Sequence, residues 1–169
     1  MVQDGCAVSA RAALALLLLL SLAAPAWSAA PGSAVPQFSL PGRDAQVSLA
    51  DYRGKLVYLD FWASWCAPCK RSFPWMGELQ KRFGPSGLVV VAVNVDTARA
   101  DADRFLLDVP AGFTVAFDPA GSVARQYSIK GMPSSVLIGP SGQVLHMHEG
   151  FTKSTPQAVE KHIEQLLKK

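Results

Sequence analysis

The stretch FWASWCAPCK, residues 61–70, places two cysteines three positions apart, just behind a tryptophan and an apolar run. Residues 55–62 are mostly aliphatic or aromatic, which predicts a buried strand. The residues that follow the cysteines carry apolar side chains at steps of three and four, which predicts one face of a helix: Phe73, Met76, Leu79 and Phe83. Cys66 and Cys69 therefore stand at a strand-to-helix junction.

Two cysteines at such a junction suit reversible dithiol chemistry. Their spacing places both sulfurs near one helix N-terminus, where unpaired N–H groups and the helix dipole favour negative charge on the first thiol. Pro68 stiffens the turn, and Cys69 lies one turn into the helix, where it can attack a mixed disulfide formed at Cys66. We expect Cys66 to be the exposed attacking thiol and Cys69 the sheltered resolving thiol.

Three other interpretations of the pair are weaker. Half of a zinc site would need a second pair of ligands, because tetrahedral zinc takes four, and no second cysteine pair exists. Haem attachment would have a histidine after the second cysteine, where Lys70 stands. A purely structural disulfide closing so small a loop would constrain the unfolded chain little. A redox role is favoured over all three.

The N-terminus has the layout of a secretory signal peptide. The chain has 169 residues, a formal net charge of +3 and no run of five or more like charges, which predicts about one domain and no nucleic-acid partner. A short head ends in Arg11, and the apolar stretch over residues 12–24 is shorter than the roughly 20 residues of a spanning helix. We expect residues 1–28 to be a cleaved signal peptide, with an uncleaved membrane anchor as the alternative, and export to the periplasm.

The mature chain would keep only two cysteines, since Cys6 lies in the removed segment. We expect residues 29–36 to form a loose leader and residues 37–169 to form one folded domain. Strands and helices alternate along that domain in an order that predicts an α/β fold, a mixed central β-sheet with helices on both faces. The final helix is expected to start with Thr155 as its N-cap and Pro156 at its first position.

The quoted motif resembles the thioredoxin superfamily when it is taken together with two later stretches. LDFWASWCAPCK is followed by VVVAVNVD and then by GMPSSVLIGPSGQV. Within the superfamily, residues 35–169 look like exported TlpA/ResA-type thiol–disulfide oxidoreductases, the group that includes the reductases of cytochrome c maturation. Residues 99–119 match the helix and strand that such members insert. The resemblance implies a thioredoxin-like fold for residues 37–169.

The resemblance also implies roles for four residues beside the cysteines. Pro133 matches the cis-proline that faces the dithiol, and Met132 before it would offer its backbone to the substrate chain. Asp60 matches the buried aspartate beneath the cysteines, which moves the proton of the resolving thiol. Trp65 matches the tryptophan that shapes the docking surface around the first cysteine.

Two positions depart from the pattern. Ala92 stands where thioredoxin has a lysine paired with the aspartate, so Asp60 is expected to be protonated more often. Ser72 stands where many TlpA/ResA proteins have a glutamate. Both departures leave the dithiol in place and weaken any inference about its reduction potential.

The sequence thus favours an exported enzyme that reduces protein disulfides, with a membrane or periplasmic electron donor, no cofactor and a monomeric state. A DsbA-type oxidase is the nearest alternative, and a peroxidase is weaker because its reactive cysteine would not normally sit in Cys-x-x-Cys. A metal or haem chaperone on the same scaffold could use the cysteines with His146 and His148, which alternate along one strand face. We predict no metal site, since a solvated strand face explains both histidines.

Overall fold

The computed structural model describes residues 31–168. The strands are β1 (Ser39–Pro41), β2 (Gln46–Ser48), β3 (Leu56–Trp62), β4 (Leu88–Asn94), β5 (Thr114–Phe117), β6 (Ser134–Ile138) and β7 (Val144–Glu149). The helices are α1 (Ala67–Phe83), α2 (Arg99–Asp108), α3 (Ser122–Gln126) and α4 (Thr155–Leu167), with short 3-10 turns at Leu49–Tyr52 and Gly84–Ser86.

Five strands form one mixed sheet in the order β5-β4-β3-β6-β7. β3, β4 and β5 are parallel, whereas β6 and β7 are antiparallel to their neighbours. β1 and β2 form a separate antiparallel hairpin. Every residue of the central strand β3 is buried, as its apolar sequence predicts. α1 begins just after the carboxyl end of this central strand. The two cysteines therefore lie at that end of the sheet, near its middle.

Side-chain alternation along β3 divides the core into two layers. Tyr58 and Trp62 lie in one layer with residues of α1, α2 and α4, and Val57, Leu59 and Phe61 lie in the other with residues of α3 and the β1–β2 hairpin. Helices therefore cover both faces of the sheet, and the predicted α/β fold is confirmed. The inserted α2 and β5 belong to this core, because β5 extends the sheet beside β4.

Residues 32–35 differ from the expected loose leader. The Gly32 N–H donates to the Val144 carbonyl at 2.8 Å, and the Val35 N–H donates to the Gly142 carbonyl at 3.0 Å. The Val35 side chain is buried. This segment is therefore held against the turn between β6 and β7 by contacts that local sequence does not encode. The predicted signal peptide lies outside the described residues.

The start of α4 is one residue from its predicted cap. The helix begins at Thr155, its N-cap is Ser154, and Pro156 is at the second helical position. The Thr155 hydroxyl accepts a hydrogen bond from the Thr152 N–H at 2.9 Å, so it belongs to the preceding turn. Within residues 31–168, no helix is long and apolar enough to cross a membrane.

Candidate active site

Cys66 and Cys69 are joined by a disulfide at the start of α1, with Cα atoms 5.3 Å apart. Cys66 is the N-cap of the helix, and its Sγ accepts a hydrogen bond from the Cys69 N–H at 3.2 Å. Pro68 lies within the first two helical positions, where its missing N–H costs nothing. The Cys66 sulfur therefore takes the place of a capping oxygen, next to the positive end of the helix dipole.

The two sulfurs are less accessible than the sequence suggested. Cys66 is 3% exposed and Cys69 is fully buried, so the expectation of an exposed Cys66 is wrong for the disulfide form. Both cysteines belong to the core layer that α1 forms with β3. Trp65, in contrast, is 71% exposed and stands beside Cys66 at the surface. Cys66 is the slightly more exposed residue of the pair, and the order of attack stays a prediction.

The loop that carries Cys66 is fixed by a carboxylate that sequence reasoning missed. Asp96 accepts hydrogen bonds from the Ser64 N–H at 2.8 Å and from the Ser64 hydroxyl at 2.9 Å. The Asn94 side-chain amide donates to the same carboxylate at 2.7 Å. Because hydrogen bonds to a buried charged group are strong, this cluster holds the loop two residues before Cys66. The available signal was the polar pair that follows a buried strand in VVVAVNVD.

Met132 and Pro133 lie at the same end of the sheet as the disulfide. The peptide bond between them is cis, as expected from the resemblance. β6 starts immediately afterwards, with Ser134 opposite Phe61 near the end of β3. The Gly150 N–H donates to the Pro133 carbonyl at 2.8 Å, which ties the loop to the end of β7. Topology therefore brings together the two loops that the sequence separates by more than sixty positions.

Asp60 is a buried carboxyl group without a charged partner. It lies in β3 between Tyr58 and Trp62, on the face that α1 covers, and is 2% exposed. Its neighbours across the sheet are Ala92 and Ser135. Among residues 31–168, its Oδ2 has no hydrogen-bond partner, and burial raises the pKa of Asp60 well above its usual value. A carboxyl group in this state binds its proton more tightly than an exposed one, so its carboxylate form is the stronger base.

Ser72 also lies on this side of the sheet. It is buried, and its hydroxyl donates to the Cys69 carbonyl at 3.1 Å. Ser72, which stands where many TlpA/ResA proteins have a glutamate, thus forms a hydrogen bond within the first turns of α1. It places no charge near the dithiol.

His146 and His148, the residues that a metal chaperone could use, belong to a cluster of three imidazoles. His146 and His148 share one face of β7, as predicted, and His162 of α4 stacks on His146 with ring centroids 3.7 Å apart. Burial and the neighbouring His162 lower the pKa of both strand histidines. Within residues 31–168, no group of three or more His, Cys, Asp or Glu side chains is arranged to hold a metal ion. The sequence could not place His162 here, because its partners lie in another element.

A thioredoxin-like fold with a Cys-x-x-Cys disulfide at the start of the helix after the central strand defines a thiol–disulfide oxidoreductase. Comparison with known proteins agrees. A family model described as the AhpC/TSA family matches residues 31–147. The thiol–disulfide oxidoreductase ResA of Bacillus subtilis is 35% identical over 124 residues, covering 73% of this chain and 69% of that protein.

Two solved structures extend the likeness. A Chlorobium tepidum protein assigned as thiol:disulfide interchange protein DsbE matches with a TM-score of 0.81 at 50% identity, covering 83% of this chain and 99% of that one. An exposed lipoprotein thioredoxin of Streptococcus pneumoniae matches with a TM-score of 0.69 at 30% identity, covering 78% of this chain and 100% of that one. The chain belongs to the AhpC/TSA family, and its similarities favour dithiol redox chemistry over a metal or haem chaperone.

Proposed function

We propose that this thiol–disulfide oxidoreductase reduces disulfides of exported proteins. The observation that carries the proposal is the placement of Cys66 as the N-cap of α1, with Cys69 one turn further on. A reduced Cys66 in this place is stabilised as the thiolate, which is the form that attacks disulfides. Cys69, fully buried behind it, is protected from substrates and can reach only a bond formed at Cys66.

The reaction proceeds in two attacks. The Cys66 thiolate first attacks one sulfur of the substrate disulfide, forms a mixed disulfide, and expels the other substrate sulfur as a thiolate. Cys69 then gives its proton to the Asp60 carboxylate and attacks the Cys66 sulfur. The Cys66–Cys69 disulfide forms and the second substrate thiolate leaves. The substrate gains two electrons, and a dithiol donor must return them to the enzyme.

The surrounding loops would position the substrate chain. We propose that the Met132 backbone aligns the substrate beside Pro133, as the resemblance implies, and that the exposed Trp65 forms part of the docking surface. The loop before α1 and the loop before β6 both lie at the end of the sheet where the disulfide is found. We expect the protein to act as a monomer on protein substrates, with a membrane or periplasmic dithiol as its electron donor and cytochrome c maturation as the fitting context.

The direction of electron flow can be tested by equilibrating the Cys66–Cys69 pair with mixtures of reduced and oxidised glutathione. In a reductase, the Cys66–Cys69 pair should stay oxidised in the presence of reduced glutathione. Its reduction potential should be more negative than that of the oxidant DsbA, about −120 mV, by at least about 60 mV. This difference corresponds to about 100-fold in the equilibrium constant. A potential at or above the DsbA value would identify an oxidase instead. Thiol alkylation followed by mass spectrometry gives the reduced fraction.

We also propose that residues 1–28 direct export and are removed. The supporting features are the short apolar stretch and the small residues around Ser28. The likeness to an exposed lipoprotein thioredoxin agrees with a site outside the cytoplasm. Mass spectrometry of the protein from a periplasmic fraction should show an N-terminus at Ala29. An intact N-terminus in the membrane fraction would instead establish the anchored form.

A further inference from the structure

A groove lies between the first turns of α1 and the loop that joins β7 to α4. Its volume is about 410 Å³, and it is lined by Arg71, Phe151, Thr152, Lys153 and Pro156. Most of the lining surface is apolar, although two of the five side chains are cationic. None of the five takes part in the dithiol chemistry described above, so the groove is a separate feature that requires its own explanation.

The groove lies beside the dithiol. Arg71 is three residues after Pro68 of the Cys-x-x-Cys turn, and residues at this spacing are neighbours on a helix surface. The opposite wall begins at Phe151, one residue after Gly150, whose N–H donates to the Pro133 carbonyl at 2.8 Å. The groove is therefore flanked by the dithiol turn on one side and, through Gly150, by the loop of the cis-proline on the other.

The aromatic wall of the groove is fixed by the packing behind it. The Phe151 and Trp75 rings have their centroids 5.5 Å apart. The Trp75 indole N–H donates to the Glu160 carboxylate of α4 at 2.9 Å, and the Trp75 ring meets Tyr58 of β3 edge to face at 5.7 Å. Because this wall is already ordered, a ligand that binds against it loses little free energy in arranging it.

The two cations of the groove have no acidic partner. Arg71 and Lys153 are exposed, and within residues 31–168 neither forms an ion pair. α1 has no acidic residue before Glu78, and α4 has none in its first turn. Glu149 follows His148 along β7, so alternation directs its side chain away from the face that α1 and α4 cover. The groove thus presents two unpaired positive charges on an apolar surface.

We propose that this groove binds the substrate chain beside its disulfide and selects a segment in which an apolar side chain lies next to a carboxylate. The apolar side chain contacts Phe151 and Pro156, and the carboxylate lies between Arg71 and Lys153. Arg71 is about 7.5 Å along the helix axis from Cys66, which about two to three residues of an extended chain span. The inference rests on the proposed reduction of protein disulfides and names a substrate class for it.

The test measures kcat/KM for four peptide disulfides at low salt. On both sides of each cysteine, the peptides carry leucine or serine at the second position and glutamate or glutamine at the third. The wild type should prefer glutamate by about three- to tenfold, as expected for two exposed ion pairs, and leucine by about threefold or more. The glutamate preference should shrink at about 0.5 M salt, because salt screens exposed charges.

Variants assign these preferences to the groove. Arg71→Gln and Lys153→Gln should each lower the glutamate preference, and the double variant should abolish it. Lys81→Gln is the matched control, because it removes the same charge from the last turn of α1, and it should keep the preference. Phe151→Ala should abolish the leucine preference. Every variant should reduce a small uncharged aromatic disulfide at the wild-type rate, and thermal unfolding checks that each remains folded.

The outcomes separate this proposal from the function on which it rests. Equal kcat/KM for all four peptides would overturn the groove proposal and leave the reductase function standing. If the wild type reduces neither the peptides nor the aromatic disulfide, the proposed function fails and the groove proposal fails with it. Equal losses of glutamate preference in Lys81→Gln and Arg71→Gln would trace the preference to overall charge and overturn the proposal. Dimerisation that Phe151→Ala abolishes would assign the groove to a second copy of this chain instead.

Discussion

Cys66→Ser should lower disulfide reduction to the uncatalysed background. Serine at the N-cap still caps α1, so the fold should persist, but a hydroxyl is not ionised near neutral pH and cannot attack a disulfide. Cys69 cannot take over, because it is fully buried. Reduction of a fluorescent peptide disulfide by the wild type and the variant, with matched circular dichroism spectra, gives the comparison.

Cys69→Ser should fail at a different point and act as a covalent trap. Cys66 still makes the first attack, but the mixed disulfide has no internal thiol to break it. Non-reducing electrophoresis and mass spectrometry should show the substrate attached to Cys66 in about equimolar amount. Turnover of Cys69→Ser at the wild-type rate would contradict the assigned roles of the two cysteines.

Much of this fold follows from local sequence pattern. The buried run before the cysteines predicts β3, and the apolar steps after them predict α1, because each pattern has the period of its own element. The alternation of these elements then limits the topology to an α/β sheet with right-handed connections. The dithiol could be found for the same reason, since its chemistry depends on a short spacing at one junction.

Features made by distant contacts could not be predicted in this way. The Ser64–Asp96 hydrogen bonds join two loops across neighbouring strands, and the His146–His162 stack joins a strand to the final helix. The burial of Cys66 depends on how α1 packs against the core, and the spacing of the cysteines in the sequence does not show this packing. A one-dimensional pattern reports which face of an element is apolar and leaves open what covers that face.

Asp60→Asn should slow the second attack by about 100-fold or more and leave the first nearly unchanged. Asparagine keeps the size of the side chain but cannot take the proton of Cys69, whereas the Cys66 thiolate already lacks its proton when it attacks. Stopped-flow detection of the two successive thiolates released from a peptide disulfide separates the steps. Equal slowing of both would leave Asp60 with a structural role alone.

The same substitution should stabilise the fold in a pH-dependent way. A folded-state pKa above the usual 3.8 means that the folded protein binds the Asp60 proton more tightly than the unfolded chain does. Stability therefore falls as the pH rises from about 3.8 to the folded-state pKa, and stays lower above it. The Asp60→Asn variant would escape that loss, so its gain in the free energy of unfolding should be small in acid and largest above the folded-state pKa.

Asp103→Asn, at a half-exposed ion pair with Arg99, is the control that should show no such gain. Urea unfolding of the oxidised proteins across this pH range measures the difference, and a gain independent of pH would show that Asp60 does not titrate abnormally.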